Sequence, residues 1–175
     1  MGFCTKAAFI FAITFTISHD ALTPMPVNGM SYLTIAPPIQ IKTIDYDDIL
    51  WMAINIYYEA RNQPQLGKIA VGLVTLNRKK QDARPNIHSV VTEPRQFSWY
   101  NPYIKTAKVR MPTDSDIWRE CLRIAEYVLR LDDDDAIILF FEGITHFHTT
   151  KVHPPWRKGM IKVVQIEDHI FYRKK

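Results

Sequence analysis

Glu59 closes an apolar run, INIYYEARNQP (residues 54–64), with two tyrosines before it and an arginine just beyond. A carboxylate on a solvated helix end has no chemical task, whereas one set into the wall of a cleft does. Partial burial against Tyr57, Tyr58 and neighbouring aromatics disfavours the charged form and raises the pKa. A carboxylic acid still protonated near neutrality can donate a proton to a leaving oxygen. Pairing with Arg61 would act the other way and hold Glu59 ionised, so this stretch alone leaves both outcomes open.

Two further stretches carry side chains suited to chemistry. EPRQFSWYNPY (93–103) sets Gln96, Ser98 and Asn101 among Phe97, Trp99, Tyr100 and Tyr103. Aromatic faces beside amides suit a carbohydrate, whose rings offer C–H faces to stack and hydroxyls to hydrogen-bond. The same composition can stack exposed bases of a single strand, or form a plain aromatic cluster beneath a long loop. THFHTTKVHPPW (145–156) holds His146, His148 and His153. Alternation along a strand puts His146 and His148 on one face, and with His153 they could make a three-histidine zinc site. No Asp, Glu or Cys stands at helper spacing and there is no HExxH helix. Cleft lining or packing is therefore the preferred role, and no metal or cofactor is expected.

These residues need elements to position them. Ile49, Met52, Ala53, Ile56, Tyr57 and Ala60 recur at helical spacing behind Asp45, Asp47 and Asp48, acids placed at the positive end of a helix. A second helix is predicted from Pro64 to about Lys80, with Leu66, Ile69, Ala70, Leu73, Val74 and Asn77 inward. A third covers Asp114 to Arg130, with Trp118, Cys121, Leu122, Ala125, Val128 and Leu129 inward. Residues 81–113 read as one long irregular stretch whose aromatic content argues for a functional loop. The DDDD run at 132–135 reads as a solvated turn. ITHFHTTKV, IKVVQI and HIFYR then read as short strands, with Glu167-Asp168 as a tight connection. Helices followed by a small antiparallel sheet make an α+β fold.

Hydrophobic residues make up 47% of the 175-residue chain and charged ones 23%, enough for a single domain with a real core. The formal charge of +4 is carried by the basic end, where Arg157, Lys158, Lys162, Arg173, Lys174 and Lys175 outnumber Glu167 and Asp168. Such an end suits an anionic polymer, whether nucleic acid, membrane surface or wall, or simply a solvated surface. Cys4 and Cys121 are the two cysteines. Cys121 falls on an apolar helix face and is expected to pack there.

Taken in order, Glu59-Ala60-Arg61, Leu76-Asn77-Arg78, QFSW, THFH, PPW and a terminal HIFYR resemble the SleB-like cell wall hydrolases, from about Ile49 to Arg173. The resemblance implies a lysozyme-like helical domain with a small C-terminal antiparallel sheet. It further implies peptidoglycan as partner, cleaved in its glycan strands at N-acetylmuramic acid, with Glu59 as the key acid. Tyr58, Gln96, Phe97, Ser98, Trp99, His146, His148 and Trp156 then become substrate-binding residues of a saccharide cleft. Where relatives often carry Tyr between the two histidines, this chain has Phe147 and lacks that hydroxyl. A second carboxylate for hydrolysis would come from Glu93, Asp114 or Asp116. Without one, Glu59 alone could serve as acid and then base, the lytic transglycosylase route, and that route is favoured. A non-catalytic wall-binding module and a zinc-dependent amidase or peptidase are the rival readings. No nucleic acid partner is expected, and the chain is expected to be a monomer.

The beginning of the sequence fits an exported protein. Lys6 precedes AAFIFAITFTIS, twelve mostly apolar residues, with polar His19 and Asp20 after them. A charged start and an apolar stretch of about 7–15 residues make a secretory leader, and twelve residues fall short of the roughly 20 a membrane span needs. Residues 1–21 are thus expected to be a signal peptide or a weak membrane anchor, 22–44 a proline-rich linker or arm, and 45–175 the catalytic domain, exported from the cytoplasm. Extending an apolar helix past Ser18 would carry Asp20 into the bilayer, at a cost of up to ~2.5–3.5 kcal/mol. N-terminal sequencing of the exported protein should therefore find a chain beginning near His19 or Leu22. An intact Met1 or Gly2 in membrane-associated material would establish a tether instead.

Overall fold

The computed structural model describes residues 42–100 and 109–175, so the leader, most of the linker, and Asn101 and Tyr103 lie outside the described residues. Helix α1 (Tyr46–Ala60) starts where Asp45 turns its carboxylate back to accept from the Asp47 amide at 2.9 Å. Asp47 and Asp48 in the first turn complement the helix dipole. Asp48 also reaches out of the helix. It accepts from the Ile87 amide at 2.6 Å and from Lys79 at 3.0 Å, joining α1 to two later segments.

Helix α2 (Gln65–Gln81) follows Pro64 and is buried over most of its circumference. At Gly72 an added Cβ would meet Val128 at 3.2 Å and Ile56 at 3.4 Å, so hydrogen is the side chain that lets α1 and α4 (Ser115–Arg130) close on α2. Lys68, only 5% exposed, pairs with Glu120 of α4 at 2.6 Å. A single inward stripe was the sequence expectation, and it included Leu66, which is 50% exposed. The helix instead has helices on one side and the sheet on another, so Gly67, Lys68, Val71, Thr75 and Arg78 are buried too. Cys121 is buried in α4 without a disulfide partner among the described residues, and burial pushes its thiol up to about 11.

Two short helices were not expected, one inside the stretch read as irregular and one just after the acidic turn. Helix α3 (Ile87–Val91) begins at Asn86, whose side chain accepts from the Ser89 amide, and three of its five residues are buried. Helix α5 (Ala136–Phe141) follows the acidic turn. Both are too short to show a helical period, which explains their absence from the sequence reading.

Strand β1 (Ile144–Thr149), a single 3-10 turn (Pro155–Gly159), β2 (Met160–Ile166) and β3 (His169–Lys174) complete the chain. The sheet is antiparallel, in order β1-β3-β2, with β2 and β3 joined by Glu167-Asp168 as expected. The end of α2 clamps the β1 edge. Asn77 donates to the carbonyls of Phe141 and Ile144 at 2.7 and 2.9 Å, and Arg78 Nε donates to that of Thr145 at 2.7 Å. Thr145 is the unpaired residue of a bulge against β3. The observed architecture is a helical domain carrying a small C-terminal antiparallel sheet. Asn77→Ala removes the side-chain donor from two carbonyls and should lower stability in chemical denaturation by about 1–3 kcal/mol; an unchanged midpoint would show that the clamp is dispensable.

Candidate active site

The last turn of α1 carries Tyr57, Tyr58 and Glu59 outward while Ala60 is buried. Tyr57 turns toward Trp118 of α4. Arg61 lies over the Tyr57 ring at 5.4 Å and forms no ion pair with Glu59 among the described residues. Glu59 is half-buried beneath the segment 96–98, where the Ser98 hydroxyl donates to Oε1 at 3.3 Å. Burial raises its pKa above the ordinary carboxylate value, while hydrogen bonds from Ser98 and the positive charge of Arg78 offset part of the rise. The acid form therefore persists to higher pH than in a solvated glutamate.

Arg78 holds the two walls around this carboxyl. Its Nε bonds the Thr145 carbonyl, its terminal nitrogen the Gln96 carbonyl at 3.2 Å, and its guanidinium lies over the buried Phe97 ring at 4.7 Å. Burial pulls its pKa down to about 10, with Glu59 the leading charge that opposes the fall. In the sequence Arg78 is visible only as part of the Leu76-Asn77-Arg78 motif, with no role attached to it. The available signal was its position: it follows Val74 by one turn, on the side that includes Leu73 and Asn77. Arg95, beside Gln96, adopts φ +68°, a left-handed conformation uncommon outside glycine.

Around Glu59 opens a cleft of about 650 Å³. Tyr58, Phe97 and Tyr100 line it from the helical side together with Gln96 and Ser98, and Phe147, Thr149 and His169 line it from the sheet. A larger hollow, about 900 Å³ between α2 and α4, has its acids Asp116 and Glu120 taken up in pairs with Arg119 and Lys68. Among the described residues Glu59 is the one carboxylate lining the cleft. Glu93 pairs with Arg84 at 2.7 Å, Asp114 caps α4, and Asp116 bonds Arg119, so none of the expected second carboxylates faces it. Asp168 stands in a smaller hollow that adjoins Glu59 on another side.

The expected binding residues divide accordingly. Tyr58, Gln96, Phe97 and Ser98 are in the cleft. Trp99 is not among its lining residues. Its indole N–H donates to Asn55 Oδ1 at 2.8 Å and its ring stacks behind Tyr58 at 5.0 Å, so it supports the wall from behind. Asn55 in turn donates to Thr75 at 2.9 Å, forming a buried polar bridge from α1 to α2. His146 and His148 share a strand face as expected, but that face looks onto Trp156, at 5.2 and 5.6 Å between ring centres. His148 borders the cleft, yet its Nδ1 donates to the Thr149 carbonyl and its Nε2 meets the Tyr172 hydroxyl. His146 bonds the Thr145 hydroxyl, and burial with help from Arg78 and Lys174 pulls its pKa down to about 4. Neither His146 nor Trp156 lines the cleft. The alternate residues of the same strand, Phe147 and Thr149, do, because the pleat points them at the helices. Among the described residues no three His, Cys, Asp or Glu side chains converge as a metal site.

A family model described as Cell Wall Hydrolase matches residues 62–172, beginning just after Glu59. The spore cortex-lytic enzyme of Bacillus cereus is 43% identical over 53 residues, which cover 30% of this chain and 20% of that protein. The chain thus matches about a fifth of the length of that curated relative. Among solved structures, the catalytic domain of the germination-specific lytic transglycosylase SleB from Bacillus anthracis aligns with a TM-score of 0.56 and 22% identity, over 74% of this chain and 97% of that one. The catalytic domain of the Bacillus cereus SleB protein aligns at 0.57 and 21% identity, over 76% and 94%. These likenesses establish the lysozyme-like fold expected from the sequence.

Replacing Trp99 with Phe keeps a ring behind Tyr58 but strips the buried Asn55 oxygen of its donor. Stability should fall by about 1–3 kcal/mol in denaturant titration. A loss below about 0.5 kcal/mol, the range of ordinary surface substitutions, would return Trp99 to the cleft wall.

Proposed function

The chain belongs to the cell wall hydrolase family, and on that premise we propose that it cleaves the glycan strands of peptidoglycan at N-acetylmuramic acid, with Glu59 as its general acid. The observation that carries this reading is a half-buried carboxyl of raised pKa on the floor of an aromatic cleft. Tyr58, Tyr100 and Phe147 offer faces for sugar rings, while Gln96, Ser98 and Thr149 offer hydroxyl and amide partners.

Glu59 gives its proton to the glycosidic oxygen as the bond from C1 to that oxygen breaks, leaving positive charge on the sugar ring. The ionised glutamate is then held by Ser98 and faces the field of Arg78. Hydrolysis in the usual schemes requires a second carboxylate, ~5–5.5 Å from the first for retention or ~6.5–9.5 Å for inversion. The cleft lining supplies no such partner among the described residues, and Asp168 is an exposed turn residue of the neighbouring hollow. The lytic transglycosylase route is therefore favoured. In it the sugar's own 6-hydroxyl oxygen bonds to C1 and its proton returns to Glu59. The product is a 1,6-anhydro sugar, no water is consumed, and the acid is restored for the next cycle. Reaching the wall requires export, and residues 1–21 supply the leader in this reading.

Digestion of purified peptidoglycan followed by mass spectrometry tests the assignment. The expected products are anhydro-muropeptides, 18 mass units lighter than their hydrolytic counterparts by the water not added. Glu59→Gln, nearly isosteric but without an acidic proton, should abolish them while the protein stays folded. Because the protonated form is the active one, kcat/KM should fall as pH rises through the raised Glu59 pKa. Reducing ends in place of anhydro ends would assign a muramidase. New amino groups would assign an amidase or peptidase, and normal turnover by folded Glu59→Gln would remove Glu59 from the mechanism.

A further inference from the structure

Glu59 stands on a saddle between two depressions. The aromatic cleft lies on one side, and a hollow of about 350 Å³ lies on the other, the two sharing Tyr58, Glu59, Thr149 and His169. The rest of the smaller lining differs in kind: Arg61, Asn62, Gln63, Lys151 and Asp168. Arg61 and Lys151 are exposed, and neither joins an ion pair among the described residues. With Glu59 protonated, these two cations exceed the single acid Asp168. Two buried groups on the same lining also lack partners. Among the described residues, Gln63, 6% exposed, has no donor for its carbonyl oxygen, and His169, 2% exposed, has no partner for Nδ1. Buried polar atoms are nearly always paired in native proteins, by protein or ordered water, so two such orphans beside a surface hollow leave bonding capacity for a guest there.

We propose that this hollow is the subsite for the peptide stem carried on the lactyl ether of muramic acid, with Arg61 and Lys151 receiving a stem carboxylate and Gln63 and His169 its amide groups. The assignment rests on the glycan-cleaving function proposed above. A sugar lying on the aromatic side brings its glycosidic oxygen to Glu59. The branch on that sugar then has the adjoining hollow within reach, and the two linings match the two halves of the substrate. C–H faces meet Phe and Tyr rings, while carboxylate and amide groups meet cations and amides. Arg61, already resting over Tyr57, keeps its fork available for two parallel bonds to a carboxylate.

Binding to a non-cleaving protein separates this subsite from catalysis. With Glu59→Gln protein, calorimetry should find glycan strands bearing peptide stems bound about tenfold more tightly than strands stripped of stems by an amidase, the worth of one or two exposed charge pairs. Adding Arg61→Ala and Lys151→Ala to the same protein should erase that difference and leave affinity for stripped strands unchanged, which also reports an intact fold. Equal binding of the two strand types by the parent protein would overturn the subsite, as would a matching loss on both in the variant. Tighter binding of stripped strands would move the cations to the lactyl carboxylate itself and likewise overturn it. Failure of the wild-type protein to release fragments from either strand would instead strike the glycan-cleaving function, a separate readout from the preference.

Discussion

Everything around the carboxyl depends on how the end of α2 grips the edge of the sheet. A small sheet gains stability by packing its apolar face against a helix, and here the contact is made directional by Asn77 and Arg78. Three backbone carbonyls, of Phe141, Ile144 and Thr145, accept from these two side chains. Arg78 continues across to the Gln96 carbonyl, so one helical turn sets the separation between the strand wall and the loop wall. The helix that does this is itself immobilised, by close approach at Gly72 and by the Asn55–Thr75 bond to α1. Position is thereby passed from the helical core to both sides of the cleft through short, mostly buried links.

The same arrangement sets the proton affinity of Glu59. Burial opposes the carboxylate, and Ser98 and Arg78 favour it, with burial the largest influence. A deeper site without donors would strand the ion once its proton had gone, and a solvated one would lose the proton too early. In the mechanism proposed above, where one acid becomes the base within a turnover, both influences are needed. Trp99 contributes from outside the cleft. By bonding Asn55 and stacking on Tyr58, it fixes the ring beside the carboxyl to the polar bridge between α1 and α2.

Much of this was legible in the sequence, because long periodic elements announce themselves. Helices α1, α2 and α4, the three strands and the Glu167-Asp168 turn are where spacing placed them. Glu59 too stood out, as an acid ending an apolar run. What stayed hidden depends on neighbours remote in the chain. Alternation correctly grouped His146 with His148, but only the docking of β1 on α2 decides that Phe147 and Thr149 face the cleft. QFSW looked like one surface, whereas Phe97 lies under a guanidinium and Trp99 behind a tyrosine. Arg78 was least legible in role, since a buried arginine is explained by carbonyls and a ring that other segments supply.

The strand order has a consequence for synthesis. β3 is the middle strand, yet it is the last of these three to be made, and among the described residues β1 finds its sheet partner there alone. A nascent chain that has already formed α1, with Glu59 in place, lacks His169 and a paired β1 until residues 169–174 leave the ribosome. Contacts so distant in the chain are the slow ones to form. An unfinished or truncated polypeptide therefore carries the Glu59 carboxyl without the assembled sheet wall of the cleft.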